Sequence, residues 1–303
     1  MVLGPALVIL LAACTSGTAP STPPSTGPTA SDSGGSGGVP TVTPATGSVD
    51  HKTGPRDVLL RLDEGGGFVM PAFLASQVPP FSLYGDGTVV FRNLTQEFPQ
   101  PQGSVATSNP LRTAKLSEEQ IQDLLVYALG EGGLGVARPN YPNDQVADAS
   151  TTTFTVEAGG LKKTVSVYAL GMDVPTSGVG AADAPARAAF QKLAARLTDF
   201  DQGGSIPTDA YEPSAYRGVL FESPGIVAPD VRAWPWPDLT VADFKPDADP
   251  NGLQFPHRTM STDEVALLKV TGFEGGFQGL VLTGTDKQAY TMAIRPLLPD
   301  EDR

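Results

Sequence analysis

Two histidines, one cysteine and 33 acidic side chains are the raw material from which this 303-residue chain could build catalytic or metal chemistry. A nucleophilic serine or cysteine needs a general base within hydrogen-bond reach. The imidazoles on offer are His51 and His257, far apart in the chain, and Cys14 is the only thiol. Gly34-Gly35-Ser36-Gly37-Gly38 spells Gly-x-Ser-x-Gly, but a nucleophile elbow needs a strand before it and a helix after it. This run lies in low-complexity chain, so the match is chance. Zinc and its neighbours want clustered His and Cys, which two distant histidines do not supply. Asp247-Ala248-Asp249-Pro250-Asn251-Gly252 reproduces the opening of a calcium loop, in which the glycine makes the sharp turn. Arg258 stands where the bidentate glutamate belongs, Pro250 sits inside the loop, and Pro235, Pro237 and Pro246 oppose an entering helix. A solvated turn is the leading expectation there, with a weak calcium site on Asp247, Asp249 and Asn251 as the alternative. No other cofactor is expected: Gly65-Gly66-Gly67 lacks the Gly-Lys-Ser/Thr ending of a phosphate loop.

Paired carboxylates could serve a glycosidase, yet a count of acids means nothing without positions. Asp86 and Asp148 stand beside turn residues, where Asp shapes backbone. The two tryptophans of the chain fall in Trp234-Pro235-Trp236-Pro237, with Tyr211 and Tyr216 upstream. Rigid exposed aromatics anchor protein or sugar partners, which makes Trp234 and Trp236 the candidate partner-binding residues. The competing reading has them cap the open end of a sheet.

These residues must be held by elements with clear local signals. Phe81–Tyr84 and Thr88–Phe91 alternate around Gly85-Asp86-Gly87, a hairpin pattern. Ser117 with Gln120 three positions on forms a capping box, and Ile121, Leu124, Leu125 and Ala128 fall on one helical face. Thr151–Val156 and Thr164–Tyr168 flank Gly159-Gly160, and a second helix is predicted from about Ala184 to Phe200. The last third echoes this order. Met260-Ser261-Thr262-Asp263-Glu264-Val265 matches Leu116–Ile121, Glu274-Gly275-Gly276 matches Glu131-Gly132-Gly133, and a hairpin follows each. The expected fold is α+β, antiparallel sheets with helices packed on one face, in two similar subdomains, 55–205 and 206–303, that divide near Gly203–Ala210.

Val2–Ala13 is apolar but shorter than the roughly 20 residues a spanning helix requires, and its length suits a signal-peptide core. It ends in Leu11-Ala12-Ala13-Cys14, which resembles the bacterial lipobox. That resemblance implies removal of residues 1–13 and diacylglycerol on Cys14. The departure is an n-region without Lys or Arg, so either the Met1 amine suffices or the start is placed late. Residues 14–54 are rich in Ser, Thr, Pro and Gly and predict a disordered tether, reaching on the order of 35 Å as a coil of ~40 residues. Two acyl chains hold firmly where one binds marginally. The formal charge of −13 offers no basic stripe for nucleic acid.

Leu83-Tyr84-Gly85-Asp86-Gly87-Thr88-Val89 leading into the Ser117 helix, then Tyr141, Val146-Ala147-Asp148-Ala149-Ser150-Thr151-Thr152, a hairpin and a closing helix together resemble a bacterial domain of unknown function, whose members also share a Lys-Val strand. The whole chain is similar to uncharacterised lipoproteins of high-GC Gram-positive and related bacteria, which often close on a motif like Arg295-Pro296-Leu297-Leu298-Pro299-Asp300-Glu301. The resemblance implies location and fold and carries over no catalytic residue. The expected function is that of a non-enzymatic, lipid-anchored module on the outer face of the membrane, binding an envelope protein or wall polymer. The alternatives are a carboxylate-dependent cell-wall hydrolase and a calcium- or ligand-responsive accessory protein.

Overall fold

The structure is a computed structural model that describes residues 48–92, 101–172, 179–223, 230–250 and 252–301. Cys14, residues 1–13, the tether to residue 47 and Asn251 lie outside the described residues.

Strand β1 (Val58–Gly66) is followed by helix α1 (Pro71–Ala75) and the hairpin of β2 (Phe81–Tyr84) and β3 (Thr88–Phe91). Next come β4 (Ala106–Thr107), β5 (Arg112–Lys115), α2 (Glu118–Leu129), β6 (Asn140–Tyr141) and the long hairpin β7 (Ser150–Ala158) and β8 (Leu161–Tyr168). Helices α3 (Val179–Ala182) and α4 (Ala184–Thr198) lead to β9 (Asp209–Ala210) and β10 (Tyr216–Glu222). The chain closes with β11 (Arg232–Ala233), β12 (His257–Met260), α5 (Thr262–Ala266), β13 (Phe277–Thr283) and β14 (Ala289–Pro296). The first sheet runs β6-β8-β7-β1-β2-β3-β5-β9 and the second β11-β13-β14-β10-β12, with β4 also on β13. Every pairing is antiparallel except β6 with β8 and β11 with β13. The fold is α+β, as the local patterns predict.

The signals act by identifiable bonds. Asp86 accepts from the Thr88 amide at 3.0 Å and from Lys115 Nζ at 2.6 Å, closing the β2–β3 turn. Gly87 has a φ of +84°, and a Cβ there would meet Leu116 O at 2.5 Å, so only glycine fits. Ser117 Oγ accepts from the Gln120 amide while Gln120 Oε1 accepts from the Ser117 amide, satisfying two orphan donors of α2. Its apolar face joins Phe190, Leu193 and Leu197 of α4 against one side of the first sheet. Phe200, just past α4, packs its ring 5.4 Å from Phe81 and 5.2 Å from Phe91. Lys163 donates to Leu134 O, Gly135 O and Ala137 O, supplying donors to the turn after α2. Buried Arg187 does the same for Tyr141 O, Tyr168 O and Ala169 O.

Three expectations need adjustment. The tether boundary expected at residue 54 falls earlier, because Gln122 brackets the Val49 backbone at 2.7 and 3.0 Å and Asp50 O accepts from Gly159 at 2.6 Å. Sheet edges cross the expected division into 55–205 and 206–303. Thr107 pairs with Phe277, Ala210 pairs with Arg112, and Val105 packs into the second core. The repeat holds locally, since Ser261 and Glu264 form the same capping box as Ser117 and Gln120. It does not hold in topology. After α2 the first strand of the hairpin, β7, joins β1, whereas after α5 it is the second, β14, that joins β10.

Candidate functional site

Period-2 alternation along Leu60-Arg61-Leu62-Asp63 sends Leu60 and Leu62 into the helix-covered core and Arg61 and Asp63 to the other face. There the C-terminal segment crosses from the second sheet. Arg61 Nη2 and Tyr84 OH both donate to Asp300 Oδ1 at 2.7 Å, and Arg61 Nε donates to Ser82 Oγ at 3.0 Å. Arg295 grips Glu301 with two parallel bonds of 2.7 and 2.6 Å, the strong fork geometry of guanidinium on carboxylate. Glu301 also accepts from the Leu298 amide at 3.1 Å.

The titration behaviour of this seam is split. Burial pushes the Asp63 carboxyl up, reinforced by Asp300 and Glu301 and opposed by Arg61. Burial also works on Asp300 and Glu301, but the bonds from Arg61 and Arg295 outweigh it and hold both below the usual carboxylate range. Burial raises the Tyr84 phenol. A raised acid beside lowered ones is the pattern of acid–base pairs. Here both ionised members are committed to arginines, so Asp63 has no partner carboxylate at liberty to act. The cluster works as a clasp between the sheets.

Asp247, the first residue of the calcium motif, is engaged within the fold. Asp247 Oδ2 accepts from the Leu253 amide at 2.6 Å, and Oδ1 lies 3.3 Å from His257 Nε2. Gly252 N–H donates to Asp249 O, closing the solvated turn. Among the described residues no three His, Cys, Asp or Glu side chains converge as a metal site. His257 Nδ1 faces Phe255 O, and His51 sits between Lys52 O and Glu118, so neither ring is turned toward a serine hydroxyl.

The tryptophans are not the exposed anchors of the binding expectation. Trp236 is 4% exposed, packs in the second core and donates its indole N–H to Glu264 O at 2.9 Å. Trp234 is half-buried, donates to Leu239 O at 2.7 Å and meets Trp236 edge-on with centroids 5.0 Å apart. Both rings pack with Phe244 at the second core, and Pro235 separates two rings that pack on each other. Tyr216 is buried against Phe273, and Tyr211 donates to Leu297 O, so neither extends the cluster. Trp234 nevertheless lines a half-open cleft of about 460 Å³ with Arg232, Leu268, Lys269 and Leu282, a size that suits a small ligand or a polymer segment. Arg232 Nη1 donates to Leu268 O at 2.6 Å, which fixes the cleft wall.

A second surface escapes the sequence reading altogether. Between β1 and β2, Phe68 is 92% and Met70 73% exposed, and Val69, Phe73 and Leu74 are exposed beside them. Ala72 and Ala75 hold this segment, buried against Val219 and Ala293 of β10 and β14. Five large apolar residues within Phe68–Leu74 are the signal that was available. No helix among the described residues is long and apolar enough to cross a membrane. No family model, curated protein or solved structure matches this chain.

Proposed function

We propose that this chain is a non-enzymatic binding module on the outer face of a bacterial membrane, anchored by diacylglycerol on Cys14 and holding an envelope protein or wall polymer at the Trp234 cleft. The observation that carries the reading is the cleft itself. It sets an aromatic ring beside two cationic side chains, Arg232 and Lys269, in a chain of formal charge −13. Such a lining favours an anionic partner with an apolar or sugar face. Kinship with the uncharacterised lipoproteins is part of the same proposal. The residues that carry it do structural work: Tyr84 on Asp300, Asp86 in its turn, Arg295 on Glu301.

The test is crosslinking of the tagged, lipidated protein in its native cells, beside a Trp234→Ala/Lys269→Glu variant. Trp236 is left alone because it belongs to the core. A discrete protein or wall polymer recovered with the wild type, and reduced at least about tenfold by the variant, is the expected result. Equal recovery by both chains, or no discrete partner with either, rejects the cleft as the binding face.

A further inference from the structure

The apolar segment after β1 is held at both ends. Gly66 and Gly67 leave the strand with φ of +77° and +81°, and a Cβ on Gly67 would lie 3.2 Å from Asp148 O. Beyond them Ala72 and Ala75 are buried on the second sheet. Phe68, Val69 and Met70 stand exposed between these two holds as an apolar ridge, flanked by Phe73 and Leu74. Exposed apolar side chains gain free energy on leaving water for the bilayer surface.

The way the chain enters the fold says which surface is within reach. Entry is at Val49 and Asp50, beside Gly159 in the turn after β7. Strand β7 runs antiparallel to β1, with Gly66 opposite Ser150 and Leu60 opposite Val156, so the entry point and the ridge lie at opposite ends of β1. Nine strand residues separate them by about 30 Å. Thr15 to Gly47 are 33 residues, and a chain of that length can extend to at most about 110 Å, so Cys14 and the ridge are able to meet the same membrane surface.

We propose that the Phe68–Leu74 ridge is a second membrane contact, inserting its apolar side chains into the bilayer surface to which Cys14 anchors the chain. The inference rests on the membrane address proposed above and is independent of the Trp234 cleft. The attraction is apolar, because a chain of charge −13 is repelled by anionic headgroups. Docked this way, the domain lies against the membrane in one orientation.

The test uses the chain from residue 14 with Cys14→Ser, so that no attached lipid contributes. The described core contacts lie between residues 48 and 301, and removing residues 1–13 leaves them intact. The chain is floated with phosphatidylcholine vesicles and with vesicles enriched in phosphatidylglycerol. Binding to the neutral vesicles should be insensitive to salt and weaker on the anionic ones. It should fall at least about tenfold in Phe68→Asp/Met70→Asp, with an unchanged thermal melt. Absence of vesicle binding, or binding that the variant leaves intact, overturns the proposal. So does a concentration-dependent dimer, or a crosslink to an envelope protein, that the variant abolishes while the wild type ignores vesicles. Fatty-acid labelling of the full chain against Cys14→Ser tests the address separately, and its failure would leave the vesicle result standing.

Discussion

Asp63 shows how a single side chain can be set against its surroundings. Burial and two neighbouring acids raise its carboxyl in the folded chain above the unfolded value of about 3.9. The folded state then binds the proton more tightly. Its contribution to stability is present below the unfolded value and is lost as pH rises through the folded one. Asp300 and Glu301 have the opposite sign: their lowered values add stability above the unfolded range, lost as pH falls through the folded values. Asp63→Asn should therefore raise the urea midpoint at neutral pH, with a gain that shrinks toward zero on acidification. Midpoints collected from acid to neutral pH would decide this, and an unchanged midpoint at neutral pH would sink the idea that Asp63 opposes folding.

At the scale of elements, the segment around the tryptophans divides its labour. Trp236 fills the second core, and truncating a buried Trp costs about 3–5 kcal/mol. Trp234 lines the cleft from a half-buried position, so its loss should cost roughly 1–2 kcal/mol of stability. Urea unfolding of the two Ala variants should show Trp236→Ala as the more destabilised by a clear margin. Equal losses would mean that Trp234 is as much core as its neighbour and would weaken the cleft as a site. The capping boxes belong to this scale too. Ser117 and Ser261 open two helices by the same local bonds, yet the hairpins that follow enter their sheets by different strands. A cap specifies where a helix begins and says nothing about which strand will be its neighbour.

For the whole molecule, the C-terminal clasp is a polar tie between the sheets. Asp300 reaches Arg61 and Tyr84 of the first sheet, while Glu301 is held by Arg295 of the second. A chain ending at Pro299 would leave Arg61 and Arg295 largely buried without their acids. Stranding a buried charge costs on the order of 3–5 kcal/mol. The truncated chain should show a correspondingly lower denaturant midpoint, and Asp300→Asn/Glu301→Gln should fall between it and the wild type. An unfolding free energy within about 0.5 kcal/mol of the wild type would mean that the apolar contacts alone join the sheets.

The sequence by itself determined the local code. The hairpin turns at Asp86-Gly87 and Gly159-Gly160, the Ser117 and Ser261 caps, the buried face of α2 and the α+β class were all legible, because each depends on residues a few positions apart. The tertiary structure decided what depends on distant partners. Tyr84 and Asp300 lie 216 positions apart, and no periodicity links them. Trp236 looks the same as Trp234 in sequence, but packing buries one and leaves the other on a cleft. The ridge after β1 became a surface only because Ala72 and Ala75 found the second sheet, turning their neighbours outward. Burial is a property of the assembled fold, and the sites worth testing here are defined by burial.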